Sequence, residues 1–142
     1  MIDQSVGDVM TRSVRTITAE TTACTVAKLF AEYDIGSAVV VSSETDDLIG
    51  IVTRADIMQQ VASGAEIVSV PVSAFMSKPV ITINSTANIH TAATLMKEHS
   101  IRRLPVVDDG HLVGILTTTN LTHYLPRLRN TILRERNELA GQ

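Results

Sequence analysis

An internal repeat constrains the fold of this chain more than any other sequence feature. Sliding the 142-residue sequence by 66 positions aligns Met10 with Met76 and keeps the register through Val41 and Val107. A two-residue deletion near position 45 then changes the shift to 64. Fifteen positions are identical along this alignment, and many of them lie outside the apolar class. Because a shared hydrophobic pattern does not produce so many identities, we infer the duplication of one structural unit.

Both copies predict an amphipathic helix in their first half. Thr21 or Thr22 begins the first helix and Thr86 or Asn88 the second, because these side chains accept hydrogen bonds from the free amides of a first turn. Apolar residues at i, i+3, i+4 and i+7 predict one buried face per helix. These residues are Val26, Leu29, Phe30 and Tyr33 in the first copy and Ile89, Ala92, Ala93 and Met96 in the second.

Short apolar strands precede and follow each predicted helix. In the second copy, the last two strands join around Asp108-Asp109-Gly110, where glycine tolerates the positive φ of a tight turn. The first copy makes this connection with a longer loop, 42–47. A second helix begins near Arg54 in one copy and Thr118 in the other. The predicted strands cover about 14–18, 80–84, 104–107 and 112–116.

The predicted fold class is α+β (mixed α/β), with two tandem β-α-β-β-α repeats. The first repeat spans residues 6–63, the second spans 70–128, and a linker at 63–69 separates them. A unit of about 55 residues buries too little apolar surface to be more than marginally stable alone. We therefore expect the two repeats to pack sheet to sheet, related by a pseudo-twofold axis.

A C-terminal helical tail, 129–142, is expected after the second repeat. Apolar residues at positions 121, 125, 128 and 132 continue a helical stripe into this region, and Pro126 predicts a kink or a new helix start. The stretch is richer in arginine than in glutamate. The pattern fits a solvated helix face or a contact with a partner or a second copy.

Several short motifs occur once in each copy, in the same order and at the same spacing. They are Val9-Met10-Thr11 with Phe75-Met76-Ser77, the segment IRRLPVVD at 101–108, and GIVTRAD at 50–56 with GILTTTN at 114–120. Together these motifs resemble the paired cystathionine-β-synthase (CBS) domain, or Bateman module. The resemblance covers about 6–125, which is nearly the whole chain.

The resemblance implies a regulatory ligand-sensing module that modulates a partner protein. In this family, pairs of repeats bind adenosine-containing molecules in the cleft between them, including AMP, ADP, ATP and S-adenosylmethionine. Two such pairs often associate as a flat disc, so the resemblance also implies a homodimer. The regulated protein is not identified by the sequence.

A threonine at a strand end with an acid one helical turn later suits the binding of a ribose. The Thr53 hydroxyl can donate to a ribose or phosphate oxygen, and Asp56 can point in the same direction. A carboxylate accepts from both hydroxyls of a ribose diol, at about 1.5–3 kcal/mol for each bond. The same Thr-x-x-Asp spacing is also an ordinary helix cap. Its recurrence at Thr117 and Asn120 favours a ligand-binding role.

The copies differ at positions that matter for a nucleotide. Asn120 replaces Asp56 and carries no charge. The resemblance places phosphate-binding basic residues before the middle strand, where the second copy has Arg102-Arg103 and the first has Gly36-Ser37. We therefore expect the Asp56 site to receive both arginines from the other repeat, and the Asn120 site to receive none.

The remaining ligand-binding positions follow from the resemblance and form an adenine slot lined mostly by backbone. The complete predicted set is Arg15, Thr16, Gly36, Ser37, Ala38, Thr53, Arg54, Asp56, Ile81, Thr82, Arg102, Arg103, Leu104, Pro105, Thr117, Thr118 and Asn120. Arginine binds phosphate with paired bonds, so AMP or ADP is the favoured ligand. Two alternatives stay open. One is a sensor of S-adenosylmethionine, ATP or NAD, and the other is a structural dimerisation module with degenerate sites.

The other polar residues form no catalytic or metal-binding pattern. The histidines at 90, 99, 111 and 123 have no metal-ligand spacing, and Cys24 is alone, so it has no partner for a disulfide or thiolate site. No P-loop or nucleophile motif is present. We therefore expect no enzyme activity, no metal and no cofactor beyond the regulatory nucleotide.

Charge and hydropathy narrow the partners and the location. A net charge of -3 and an aromatic content of 3% argue against a nucleic-acid partner. No apolar run approaches the ~18 residues of a membrane span, and the N-terminus lacks a signal-peptide pattern. A cytoplasmic protein that makes no use of a membrane is the expectation.

Overall fold

The structure is a computed structural model that describes residues 4–78 and 80–124. The chain forms two compact units, one comprising Val14–Val80 and the other residues 4–13 with 81–124. The predicted tail, 129–142, and the stripe positions 125, 128 and 132 lie outside the described residues. None of the helices in the described part of the chain combines the length and the apolar content that a membrane span requires.

The Val14–Val80 unit has a three-stranded sheet and two helices. In chain order, after a short helix α1 (Val6–Val9) of the other unit, the elements are β1 (Thr16–Thr18), α2 (Ala23–Tyr33), β2 (Ser37–Val41), β3 (Leu48–Thr53) and α3 (Arg54–Ala62). The sheet order is β1-β2-β3, with β1 parallel to β2 and β2 antiparallel to β3. The central strand β2 has an unbroken apolar run at 38–41, and Val39 and Val40 within it are fully buried. Val26 and Phe30 of α2 pack in the same core.

The second unit repeats this order, except that its first strand is reduced to a single bridge at Ile83. It contains a short helix, α1 (Val6–Val9), one longer helix and a two-stranded sheet, whereas the 3-10 turn at Val72–Ala74 belongs to the other unit. Residues 118–124 are helical. Its core includes Val6, Met96, Leu104 and Leu116. The elements are α4 (Ile89–His99), β4 (Arg103–Asp108) and β5 (His111–Thr117).

The strand predicted at 80–84 is wrong, because only Ile83 pairs, in a parallel bridge with Val106. The Ile83 N–H donates to the Pro105 carbonyl at 3.1 Å. In the other unit, the Val39 N–H extends the ladder by donating to the Arg15 carbonyl at 3.1 Å. Pro105 occupies the position of Val39 in the repeat and has no N–H, so the second ladder cannot extend in the same way.

The opening motif of each copy packs in the unit built from the other copy. Thr11 exchanges two backbone hydrogen bonds of 2.9 Å with Ile115, and Ser77 pairs in the same way with Ile51 at 2.9 and 3.3 Å. Each preceding methionine lies over a glycine of the same strand, Gly114 or Gly50. The sequence repeats and the compact units therefore divide the chain at different places.

The structure selects one of the two predicted starting residues for each helix. The buried face of each helix is narrower than predicted. Thr22 caps α2 by accepting from the Thr25 N–H at 3.3 Å, and Asn88 caps α4 by accepting from the His90 N–H at 2.7 Å. Tyr33 and Ala93 are exposed rather than buried. Both lie at the margin of the helical stripe.

Candidate functional site

One end of the three-stranded sheet gathers most of the positions predicted in the first copy. Because β1 runs parallel to β2 and β3 runs against it, the starts of β1 and β2 meet the end of β3. Ser37 pairs with Thr53 across β2 and β3. The Arg15 carbonyl accepts from β2, and the Gly36 carbonyl accepts from the Arg54 N–H at 3.1 Å. Arg15 and Thr16 are exposed, whereas Ala38 packs into the core, so Ala38 presents only backbone at this end.

Thr53 and Asp56 form a reciprocal capping box at the start of α3. The Asp56 Oδ2 accepts from the Thr53 N–H at 2.8 Å, and the Thr53 Oγ1 accepts from the Asp56 N–H at 3.3 Å. The capping interpretation of this motif is confirmed. Capping uses one carboxylate oxygen of Asp56, and an ionised carboxylate has about four acceptor positions. The second oxygen, Oδ1, is the group that this arrangement offers to a ligand hydroxyl.

Asn120 occupies the corresponding place at the end of β5, with a different use of its side chain. Its Oδ1 accepts from both the N–H and the hydroxyl of Thr117, at 2.8 and 3.0 Å. Its Nδ2 donates to the Thr11 hydroxyl at 3.1 Å. Both lone pairs of the amide oxygen and one of its two N–H donors are therefore engaged. Asn120 offers a ligand much less acceptor capacity than Asp56.

The predicted positions before β4 lie at the equivalent end of the second unit. Arg103 pairs with Thr117, and the Arg102 carbonyl accepts from the Thr118 N–H at 3.0 Å. Arg102 is exposed and Arg103 is half-buried. The side chain of Leu104 packs in the core, Pro105 is fully buried, and Ile81 packs against that core, whereas Thr82 is exposed.

Two features at the end of α2 were not predicted from the sequence. The Arg15 guanidinium lies over the ring of Tyr33, 3.7 Å from its centroid. The Arg54 side chain reaches the same helix end, where its Nη2 lies 3.1 Å from the Asp34 Oδ1. Helical periodicity had placed Tyr33 in the core, and no local motif marked Asp34.

Within residues 4–78 and 80–124, no group of three or more His, Cys, Asp or Glu residues is arranged to hold a metal.

Comparison with known proteins gives matches along nearly the whole chain. The family described as CBS domain matches residues 6–63 and 72–127. An uncharacterized protein, MK0525, of Methanopyrus kandleri is 41% identical over 133 residues, covering 92% of this chain and 67% of that protein. The CBS domain-containing protein YhcV of Bacillus subtilis is 35% identical over 117 residues, covering 82% of each chain.

A solved structure of similar fold contains a nucleotide. It is the CBS domain protein PAE2072 from Pyrobaculum aerophilum complexed with AMP. The TM-score is 0.76 at 28% identity, and the match covers 82% of this chain and 89% of that one.

Proposed function

Because the chain belongs to the CBS domain family, we propose that it is a regulatory module that binds an adenosine nucleotide and modulates a partner protein. The observation that carries the proposal is Asp56, whose Oδ2 caps α3 by accepting from Thr53, the strand partner of Ser37, while its Oδ1 has no hydrogen bond to the described residues. The similar protein from Pyrobaculum aerophilum, complexed with AMP, supports the choice of ligand class. No catalytic role is proposed.

The ribose is the part of the ligand that we assign to Asp56. A carboxylate oxygen accepts from ribose hydroxyls, and a charged acceptor strengthens each bond. The hydrogen bond from the Thr53 N–H fixes the carboxylate before a ligand arrives, which lowers the entropic cost of binding. The Asn120 position is the weaker of the two sites in this proposal, because its amide oxygen already accepts two hydrogen bonds.

The phosphate is assigned to Arg102 and Arg103. A planar guanidinium can donate two parallel bonds to a phosphate, so two arginines favour an anionic tail over the zwitterionic tail of S-adenosylmethionine. The sequence has no P-loop lysine to hold a long triphosphate. AMP and ADP are therefore preferred over ATP in the proposal.

Thermal unfolding with a panel of AMP, ADP, ATP, NAD and S-adenosylmethionine tests the proposal. A ligand at 100 times its Kd adds about 2.7 kcal/mol to the free energy of unfolding. We expect AMP and ADP to raise the Tm most. If none of the five ligands raises the Tm at millimolar concentration, the nucleotide-sensing proposal is wrong.

A structural dimerisation module is a second candidate, and an apolar groove between α2 and α3 favours it. The groove has a volume of about 350 Å³ and is lined in part by Phe30, Met58 and Val61. Met58 and Val61 are 71% and 55% exposed, which is unusual for large apolar side chains in neighbouring turns. We propose that this face contributes to a homodimer, as the closed symmetry of most small oligomers favours.

Light scattering distinguishes the two candidates when it is run with and without AMP. A mass of twice 15.3 kDa that falls in Met58→Glu would support the dimer. A dimer in a protein that binds no nucleotide favours the structural module. A single-chain mass across the micromolar range would rule out the homodimer.

A further inference from the structure

Arg54 contacts three consecutive residues in the turn between α2 and β2. Its Nε donates to the Ile35 carbonyl at 3.0 Å, and its Nη2 pairs with the Asp34 carboxylate at 3.1 Å. Its backbone N–H donates to the Gly36 carbonyl, also at 3.1 Å. One residue at the start of α3 therefore holds the whole turn that leads into Ser37.

From these contacts we propose that Arg54 positions the turn backbone for the nucleoside and is not a ligand of the phosphate. The inference rests on the proposed function. The guanidinium points its donors at the C-terminal end of α2, where a carboxylate and a carbonyl already accept them. The Gly36-Ser37 backbone that would line the nucleoside follows directly after these acceptors.

The two bonds from the Arg54 side chain to Asp34 and Ile35 form a clamp that can stabilise the backbone conformation of this turn. Asp34 has the left-handed conformation, with φ 50° and ψ 49°, which is uncommon for residues other than glycine. The Ile35 N–H closes the helix end by donating to the Phe30 carbonyl at 3.1 Å. Arginine can bond Asp34 and Ile35 at the same time because its donors form a rigid planar fork, which the point charge of lysine does not reproduce.

The second copy provides an internal comparison. Ser100 has the same left-handed conformation as Asp34, and the Ile101 N–H donates to the Met96 carbonyl at 3.0 Å. The backbone bond from Thr118 to Arg102 also matches that from Arg54 to Gly36. Thr118 has no guanidinium, so the side-chain clamp accompanies only the copy that carries Asp56. The acid and the clamp occur together, as a shared role in one site requires.

The ion pair lies at the surface, since the two side chains are 57% and 98% exposed. The Coulomb attraction of such a pair is small. The proposal therefore depends on the direction of the bonds to Asp34 and Ile35, and the expected loss of affinity is roughly three- to tenfold.

Calorimetry with AMP and with adenosine tests the role of Arg54. In Arg54→Ala we expect the two Kd values to rise by the same factor, because both ligands share the nucleoside. Arg54→Lys should keep the charge without restoring adenosine affinity. Lys28→Ala, which removes an exposed cation from α2, is the matched control and should bind like the native protein. A loss confined to AMP would make Arg54 a phosphate ligand, and no loss for either would also overturn the proposal.

Hydrogen exchange of the ligand-free protein separates this inference from the proposed function. The Ile35 amide should exchange faster in Arg54→Ala than in the native protein and in Lys28→Ala. Unchanged exchange at Ile35 would show that Arg54 does not hold the turn. If the native protein binds neither adenosine nor AMP, the proposed function fails together with the role for the nucleoside, and faster exchange would still establish the clamp.

Discussion

Met10 packs against Gly114, although the two residues belong to different copies of the sequence repeat. A Cβ added to Gly114 would lie 2.5 Å from the Met10 Sδ and 2.8 Å from the Thr11 carbonyl oxygen. Met76 has the same position over Gly50 in the other unit. The identity of both methionines and both glycines in the two copies therefore has a packing explanation that is independent of any ligand.

Gly114→Ala should lower the free energy of unfolding by about 1–3 kcal/mol, as overpacking of a core does. Gly50→Ala should cost less. The atoms nearest to its new Cβ all belong to the flexible Met76 side chain, whereas Gly114 also faces a backbone oxygen. Urea denaturation measures both losses. Equal losses would show that the Thr11 backbone moves as easily as a methionine side chain.

The order of the elements was predictable from the sequence, but the partner of each opening motif was not. Duplication shows that Met10 and Met76 are equivalent, and it does not show which copy each one packs against. That choice depends on long-range pairing, here between Thr11 and Ile115. Local periodicity carries no information about such a pairing.

The missing strand at 80–84 illustrates a second limit. An apolar pattern predicted it, while the decisive residue was Pro105, which lies in the neighbouring strand. At the candidate site, the Thr-x-x-Asp spacing fitted a helix cap as well as a ligand site, and the cap is present because a capping box is local. The clamp from Arg54 to Asp34 spans 20 positions and left no local signal.

Asp56→Asn should weaken AMP binding roughly ten- to hundredfold, because it removes the charge of a ribose acceptor worth about 1.5–3 kcal/mol per bond. Asparagine keeps the helix cap, as Asn120 does at the same place in the other copy. Calorimetry on Asp56→Asn and Asn120→Ala measures the contrast. We expect little change in the tighter site for Asn120→Ala, and equal losses in the two variants would contradict the proposed asymmetry.

The hydrogen bonds to Asp108 predict that the free energy of unfolding depends on pH in the acid range. The Ser85 hydroxyl donates to this carboxylate, and so does the Ser85 backbone N–H, at 2.9 Å. Both bonds, the hydroxyl bond more strongly, lower the pKa of Asp108 below its ordinary value of 3.8. The folded state thus favours the ionised form. The resulting stability is present above the ordinary pKa and is lost as the pH falls through the lower folded-state pKa.

Urea denaturation of Asp108→Asn and the native protein between pH 7 and pH 3 tests this dependence. The variant should be less stable at neutral pH, and the difference should shrink as the pH falls below about 4, because Asp108 of the unfolded chain takes up a proton there before Asp108 of the folded protein does. Asp109→Asn is the control, because Asp109 is exposed and asparagine tolerates its positive φ of 50°. A difference between the native protein and Asp108→Asn that stays constant down to pH 3 would show that Ser85 does not stabilise the ionised form.

Replacing both Arg102 and Arg103 with alanine should weaken AMP strongly and leave adenosine binding nearly unchanged. The two guanidinium groups are assigned to the phosphate, which adenosine lacks, and each bond to a charged group contributes about 1.5–3 kcal/mol. The Arg103 backbone pairs with Thr117 and does not depend on its side chain, so β4 should persist in the double variant. Calorimetry with AMP, adenosine and S-adenosylmethionine on the native and double-variant proteins makes the comparison. Tighter binding of S-adenosylmethionine than of AMP by the native protein would show that these arginines do not recognise a phosphate. A parallel loss of adenosine in the double variant would instead assign them to the nucleoside pocket.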